Sequence, residues 1–233
     1  MTNEEFKAAA TYVPFNCEEV TPFIAMFDKH MRMLHPQISD AQFDGLQEEN
    51  IPCWLKEYIS FVLNDHDEVD NCIKALAMGP SRRVNYYNGY FVNGFKFHTL
   101  DYGSHKTTMN SGVSVLGSCH NDYERDYYGM LTEKLELDYL GDVENKVTLF
   151  KCDWFDINGG VRVLRRFGLV ELNHKKKLQT NDVFILAQQV YYTCFPTNAR
   201  DRLDWWTIVK TKARNVPNIQ GIISKNEECN VWV

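Results

Sequence analysis

The sequence lacks cysteine pairs at the C-x-x-C spacing that zinc sites and redox centres use. Its seven cysteines lie singly along 233 residues, and their number is odd. The N-terminus also lacks the charged segment followed by an apolar segment that marks a signal peptide. These absences predict free thiols in a reducing, intracellular compartment, with no bound metal or other cofactor.

The chain also lacks a surplus of basic residues, since its formal net charge is −6 and its pI is near 5.7. Proteins dedicated to nucleic acid usually carry such a surplus, because neutralising phosphates supplies most of their affinity. A local basic patch is still compatible with this composition. No stretch approaches eighteen apolar residues, so no membrane span and no membrane partner are expected.

What the sequence does contain is an aromatic content of 13% in a chain that is 44% hydrophobic and 24% charged. This composition is typical of a globular protein that buries a core. Twelve Tyr, fourteen Phe and five Trp must therefore lie either in that core or on a binding surface.

Residues 16–79 carry apolar side chains at helical spacing. The first apolar face consists of Val20, Phe23, Ile24, Phe27, Met31 and Leu34. Pro36 ends this helix, and Ser39 with Gln42 indicates the start of a second, short one. The same spacing returns in Ile51, Trp54, Leu55, Tyr58, Ile59 and Val62. A further short helix is predicted over 67–78, ending at Gly79-Pro80.

From residue 84 onwards the apolar period changes to two, which predicts β-strands. The candidate strands are 90–99, 112–117, 126–139, 145–156, 161–170, 182–194 and 204–213. Seven short strands separated by turn residues indicate a compact barrel or sandwich. We expect an α+β fold in which an N-terminal helical segment packs on a mainly antiparallel C-terminal β-barrel. The predicted domains are a helical region at 1–79, a barrel at 80–215 and a tail at 216–233.

The stretch VTLFKCDWFD, residues 147–156, is the most apolar part of the second half. On a strand, Phe150, Cys152 and Trp154 share one face, which favours Cys152 as a small buried hydrophobe. A reactive thiol is the alternative, if a base arrives from elsewhere in the fold. Asp153 and Asp156 project from opposite faces, so they cannot clamp one ion without a bulge.

No catalytic arrangement is evident from motifs, and the chain is not expected to be an enzyme. There is no G-x-S-x-G elbow, and Cys119-His120 is a lone pair that falls short of a zinc signature. A metal-dependent hydrolase would need Asp101, Asp153, Asp156 or His98 to converge on an ion. The spacing of these residues does not favour that alternative.

Several segments, taken together and in order, resemble the C-terminal region of proteins encoded by plant CACTA-type (En/Spm-like) transposons. These segments are YVPFNCEEVTPFI (12–24), GPSRRV (79–84), YNGYFVNGFKFHT (87–99), NSGV (110–113), YYGMLTEKLELDY (127–139), VTLFKCDWFD (147–156), NDVFILAQQVYY (181–192) and WWTIVKTKAR (205–214). The resemblance covers roughly residues 10–215. It implies a domain of unknown function, because the transposase catalytic core lies upstream in such proteins and nothing matching it is present here.

The chain departs from that family in two places. Val183 stands after Asp182 where the family usually has proline. Residues usually found between the Phe-Ile-Leu-Ala and Gln-Val-Tyr segments are missing after Ala187, which we interpret as a shortened turn or a lost bulge. The resemblance implies a truncated or domesticated transposon fragment, or an excised piece. It favours the nucleus over the cytoplasm.

The order of the strand motifs is also similar to chromatin-reading barrels of the bromo-adjacent-homology (BAH-like) and SH3-like types. That likeness suggests an aromatic patch or cage for a peptide, built from Tyr127, Tyr128, Trp154 and Trp205. The alternative is that these rings fill the core.

Two functions therefore stand beside the hydrolase alternative. The first is a non-enzymatic interaction module for a protein partner, and an acidic chain suits a basic partner such as a histone tail or another chromatin protein. The second is a nucleic-acid-binding accessory domain of a transposase. Its candidate contacts are Arg82, Arg83, Lys96, Lys175, Lys176, Lys177, Lys210, Lys212 and Arg214. The lysines at 175–177 could equally lie at a solvated hairpin tip. The sequence leaves the oligomeric state open.

Overall fold

A computed structural model describes residues 1–64, 69–106, 109–116, 126–140, 145–164, 166, 169–180, 183–195 and 204–210. The chain divides into two compact units. The first comprises Met1–Asn85 and Glu136–Thr148, and the second comprises Tyr86–Leu135 and Leu149–Val233. The predicted tail at 216–233 lies outside the described residues.

Four helices form most of the first unit. They are α1 (Asn3–Phe15), α2 (Thr21–Leu34), α3 (Asp40–Asn64) and α4 (Asn71–Met78). Thr2 and Glu5 start α1 with a capping box, because the Glu5 amide donates to the Thr2 hydroxyl at 3.1 Å and the Thr2 amide donates to the Glu5 carboxylate at 2.7 Å. Asp70 caps α4 by accepting from the Cys72 amide at 2.7 Å. In the described part of the chain, no helix combines the length and the apolar character needed to cross a bilayer.

The predictions for α2 and α4 are confirmed, and Pro22 lies in the first turn of α2. The two helices predicted between Ser39 and Val62 are wrong as separate elements, because α3 is one 25-residue helix with Pro52 inside it. Ser39 precedes this helix, and its hydroxyl donates to the Gln42 side-chain oxygen at 2.8 Å. The predicted helices begin at residue 16, so they do not include α1.

The apolar faces of α2 and α3 pack together. Phe27, Ile51, Leu55 and Ile59 are each at most 3% exposed. The rings of Phe27 and Trp54 meet edge to face at 5.3 Å between centroids. At the end of the predicted α2 face, Leu34 is instead 59% exposed.

Eleven strands are present among the described residues. They are β1 (Pro80–Tyr87), β2 (Gly89–Val92), β3 (Phe95–His98), β4 (Gly112–Val115), β5 (Tyr127–Tyr139), β6 (Asn145–Trp154), β7 (Val161–Leu164), β8 (Leu169–Asn173), β9 (Phe184–Leu186), β10 (Tyr191–Cys194) and β11 (Trp205–Lys210). Two short helices, α5 (Leu100–Ser104) and α6 (Ile157–Gly160), lie between strands. The predicted α+β class, with helices first and a mainly antiparallel sheet second, is confirmed.

The predicted SH3-like or BAH-like barrel is wrong, because the sheet is not closed. Its strand order is β7-β8-β11-β10-β4-β5-β6-β9, with β1 also paired to β5. Within the described residues, β7 and β9 end this order and no pairing joins them. The physical reason lies in the core, since a barrel has one interior whereas this sheet buries apolar side chains on both faces.

The two faces of the sheet can be separated along β5 because successive side chains point to opposite sides. Leu131 belongs to a hairpin-side core with Phe97, Val113, Val115, Phe150, Cys152, Trp154, Ile185, Ala187 and Val190. Tyr128 and Met130 belong to a second core with Phe155, Leu172 and Ile208. A segment buried on both faces does not show the in-and-out alternation from which a barrel was predicted.

The hairpin β2–β3 packs side chains against the hairpin-side core. Its turn is Asn93-Gly94, with φ of 53° and 79°, the left-handed pair that a tight hairpin needs. The Asn93 side-chain amide donates to the carbonyls of Gln188 at 3.1 Å and Val190 at 2.8 Å. The turn of the hairpin is thereby attached to the segment between β9 and β10.

Three predicted strands are each two strands in the structure. The span 90–99 contains β2 and β3, the span 161–170 contains β7 and the start of β8, and the span 182–194 contains β9 and β10. A 3-10 turn at Ala187–Gln189 separates β9 from β10, at the point where the resemblance indicates missing residues. β9 pairs with β6, whereas β10 pairs with β4 and β11.

Candidate functional site

The outermost strands of the sheet present a mixed aromatic and polar face, which we call the outer sheet face. Arg162, Glu171 and Thr207 are directly opposite one another on β7, β8 and β11, so their side chains point to the same side. Trp205 and Val209 share that side of β11 because they alternate with Thr207. The outer sheet face therefore consists of Arg162, Glu171, Trp205, Thr207 and Val209.

The opposite side of β11 holds the strand in place. Ile208 is 5% exposed in the second core, and Trp206 packs against the same core. The Trp206 ring lies parallel to the His174 ring, with 4.3 Å between centroids and 11° between planes. Trp206 also contacts the ring of Phe155. Because Trp206 is held on one side of β11, the neighbouring Trp205 is directed to the other.

The main contact on the outer sheet face joins a cation to an aromatic ring. The guanidinium carbon of Arg162 lies 3.7 Å from the centroid of the Trp205 ring, well inside the roughly 6 Å at which cation–π attraction acts. Trp205 is partly exposed and Arg162 is exposed. This face therefore presents an aromatic ring that accepts a guanidinium group.

The four aromatic residues predicted to form one patch lie in different places. Tyr128 is 4% exposed in the second core, where burial raises its pKa to about 12. Trp154 is 6% exposed in the hairpin-side core, and Tyr127 packs against that core. Only Trp205, of these four, lies on the outer sheet face.

Burial and strand order separate Trp205 from the other three rings. β11 and β6 are four strand steps apart in the sheet, so Trp205 and Trp154 lie on strands that are not neighbours. Tyr128 points to the opposite side of the sheet from Tyr127. Of the four aromatic residues predicted to bind a partner, Trp205 is therefore the one that we retain as a candidate.

The three consecutive lysines predicted as a basic patch are each engaged by the protein. Lys175 pairs with Asp204, and Lys177 pairs with Asp153 at 3.5 Å. Lys176 donates to the Gly159 carbonyl at 3.1 Å. Exposed pairs of this kind are weak, so phosphates would compete with them for the three amines.

The remaining basic candidates belong to both units. In the first unit, Arg82 donates to the Asn3 side chain at 3.3 Å and lies 5.8 Å from the Phe6 ring centroid, and Arg83 is exposed. In the second unit, Lys96 is exposed on β3. The side chain of Lys210 lies outside the described residues, as do Lys212 and Arg214 entirely.

The hydrolase candidates do not converge. Asp153 pairs with Lys177, and Asp156 caps α6 by accepting from the Asn158 amide at 2.8 Å. His98 is 7% exposed, and its pKa is lowered by burial and then by Lys106 and Lys96. Within the described ranges, no three residues of His, Cys, Asp and Glu form a group that could hold a metal ion.

The distribution of charge differs between the halves of the sequence. Residues 1–79 carry 14 acidic and five basic residues, whereas residues 80–233 carry 17 acidic and 20 basic residues. The net charge of the whole chain conceals this difference. Counting by predicted domain would have found it, whereas the Arg162–Trp205 contact depends on strand pairings that no local pattern specifies.

A family model described as a domain of unknown function (DUF4216) matches residues 135–209. No curated protein and no solved structure matches the chain. The matched segment contains every residue of the outer sheet face. Over β6 to β11, the chain is therefore similar to a domain family for which the family description gives no activity.

Proposed function

We propose that this chain is a non-enzymatic interaction module, derived from a CACTA-type transposon protein, that binds a basic segment of a partner protein on the outer sheet face. The observation that carries the proposal is the stacking of the Arg162 guanidinium on Trp205 at 3.7 Å. A ring that holds the chain's own guanidinium has the electronic character needed to hold a partner's.

The chemistry of the ring, rather than the charge of the chain, supports the choice of a basic partner. The outer sheet face lies within residues 80–233, which carry 20 basic and 17 acidic residues. Histone tails and other chromatin proteins supply exposed arginines and lysines at high density. A transposon-derived protein in the nucleus would encounter these partners.

The proposal is tested with fluorescein-labelled histone-tail peptides and the full chain, by fluorescence polarisation. The Trp205→Ala variant is expected to lose binding by about tenfold, because an aromatic anchor at an interface typically contributes more than 1 kcal/mol. Phe91→Ala is the matched control, since Phe91 is 54% exposed on β2 and lies outside the outer sheet face. Equal binding by the wild type and both variants would refute the site.

A second candidate, a nucleic-acid-binding accessory domain, is favoured by the basic surplus of residues 80–233. Binding of that kind would weaken steeply with salt because phosphate contacts release counterions. Measuring affinity for duplex DNA at 50 and 200 mM salt separates the two candidates. A steep salt slope that Trp205→Ala leaves unchanged would favour the nucleic-acid function.

A further inference from the structure

We infer that Arg162 occupies the Trp205 ring in the free chain as an internal substitute for a partner's arginine, so that partner and Arg162 compete for one ring. This inference rests on the proposed function and specifies the group that is recognised, a guanidinium. It also assigns Arg162 a role opposite to that of an ordinary contact residue, because removing it should strengthen binding.

The position of Arg162 allows it to move. It lies on β7, a strand of four residues that pairs with β8 and ends the sheet order among the described strands. The Arg162 side chain is exposed, and an exposed cation–π contact is weak enough for an incoming group to displace. Edge position and exposure together make Arg162 a replaceable occupant of the ring.

A carboxylate lies beside Arg162 on the same face. Glu171 is directly opposite Arg162 in the β7–β8 pairing, and opposite residues of an antiparallel pair have Cβ atoms about 5 Å apart. Arginine and carboxylate groups form strong, often bidentate hydrogen bonds. A guanidinium that leaves the ring therefore stays next to a negative charge on the neighbouring strand.

The partner needs to supply only a planar cation at this ring. Trp206, whose ring is stacked on His174 at 4.3 Å, anchors the strand that carries Trp205, so the backbone of the acceptor is already in position. A guanidinium suits this acceptor better than an ammonium, because it is planar and less strongly hydrated. We therefore expect an arginine-bearing segment to bind more tightly than a lysine-bearing one.

The test titrates the full chain with a twelve-residue peptide of alternating Arg and Gly, and follows the Trp205 indole N–H by NMR, assigned through Trp205→Phe. A peptide with citrulline in place of arginine is the control, since citrulline keeps the shape and lacks the charge. Arg162→Ala is expected to bind the arginine peptide about two- to fivefold more tightly than the wild type. This factor corresponds to removing an exposed cation that competes for the ring.

Loss of any positive charge could also favour a cationic peptide, so Arg83→Ala provides the matched control. Arg83 is an exposed arginine on β1. Tighter binding by Arg162→Ala, with Arg83→Ala unchanged and the citrulline peptide inert, supports the inference. Arg162→Gln, which keeps a polar side chain on the edge strand, should behave like Arg162→Ala.

The remaining outcomes separate the inference from the proposed function. If both arginine variants gain affinity equally, or if Arg162→Ala binds more weakly while the wild type still binds at Trp205, competition by Arg162 is refuted and the binding function stands. If the arginine peptide shifts the Trp205 indole in no variant, the proposed function fails as well. If single-stranded DNA shifts that indole and the peptide does not, the ring stacks nucleobases and both are refuted.

Discussion

The ammonium group of Lys134 lies 3.6 Å from the ring centroid of Tyr87 and 4.7 Å from that of Tyr90. Lys134 is only 3% exposed on β5, so this cation is held between two rings away from water. Cation–π attraction is strongest where water is excluded. The contact joins the end of β1 and the start of β2 to the long strand β5.

The strength of this contact can be measured by a double-mutant cycle of Lys134→Met and Tyr87→Leu. We expect a coupling free energy of about 2 kcal/mol, the value for a desolvated cation–π pair. Urea unfolding of the four proteins gives this term. Tyr86→Leu, at a neighbouring residue that is 45% exposed, should show little coupling with Lys134→Met, and equal coupling at both tyrosines would contradict the assignment.

The turn of the β2–β3 hairpin provides a second prediction. Asn93→Ala should lower the free energy of unfolding by about 2–3 kcal/mol, because two hydrogen bonds of about 1 kcal/mol each are lost and alanine is strained at positive φ. Asn93→Gly loses the same hydrogen bonds without the strain. Its loss of unfolding free energy should therefore be about 1 kcal/mol smaller than that of Asn93→Ala. If chemical denaturation showed Asn93→Gly to be less stable than Asn93→Ala, the left-handed turn would be contradicted.

Glycine-to-alanine changes at two positions should have opposite signs. A Cβ atom at Gly112 would overlap the Thr193 carbonyl oxygen across the β4–β10 pairing, so Gly112→Ala should destabilise by about 1–3 kcal/mol. Gly45 lies inside α3 with no atom within 4 Å of the added carbon, and Gly45→Ala should stabilise by about 0.5–1 kcal/mol. Thermal unfolding of both variants checks the pair, and a stable Gly112→Ala protein would show that β4 and β10 are spaced further apart.

Cys152 should resist alkylation in the native protein. It is 2% exposed, and its pKa is raised by burial and then by Asp153, so the reactive thiolate is scarce. Cys53, Cys72 and Cys194 are exposed. After brief treatment with iodoacetamide at pH 8, peptide mass spectrometry should find these three labelled and Cys152 unmodified. Rapid labelling of Cys152 without urea would overturn its place in the hairpin-side core.

Cys17 should make stability depend on alkaline pH. Burial, and then Glu19 and Cys72, raise its pKa from 9.0 to about 11. The folded state therefore holds this proton more tightly than the unfolded state, and the resulting stabilisation is present below pH 9 and is lost as the pH rises towards 11. Urea unfolding between pH 8 and 11 should show a steeper decline for the wild type than for Cys17→Ser. Parallel declines would contradict the assignment.

Long elements with one clear pattern could be predicted from the sequence. β5 and β6 lie within two residues of their expected bounds, and α2 ends before Pro36 as expected. The buried state of Cys152 follows from the alternation of Phe150 and Trp154 beside it. In each case a local pattern and the final packing agree, which is when sequence alone is informative.

The paired short strands could not be separated in the same way. A tight turn such as Asn93-Gly94 consumes two residues, so the alternating pattern continues in phase from β2 into β3 and is read as one strand. Local sequence also does not show which strands pair with each other. β11, for example, lies between β8 and β10 in the sheet. For this reason Trp205 could be selected as a candidate, whereas its contact with Arg162 could not.

The division of the chain into two units has a consequence for synthesis on the ribosome. The first unit is discontinuous, because Glu136–Thr148 belongs with Met1–Asn85. A nascent chain emerges from its N-terminus, so the four helices leave the ribosome well before the end of β5 and the start of β6 that complete their unit. Residues 86–135, fifty residues of the second unit, are translated between the two segments of the first.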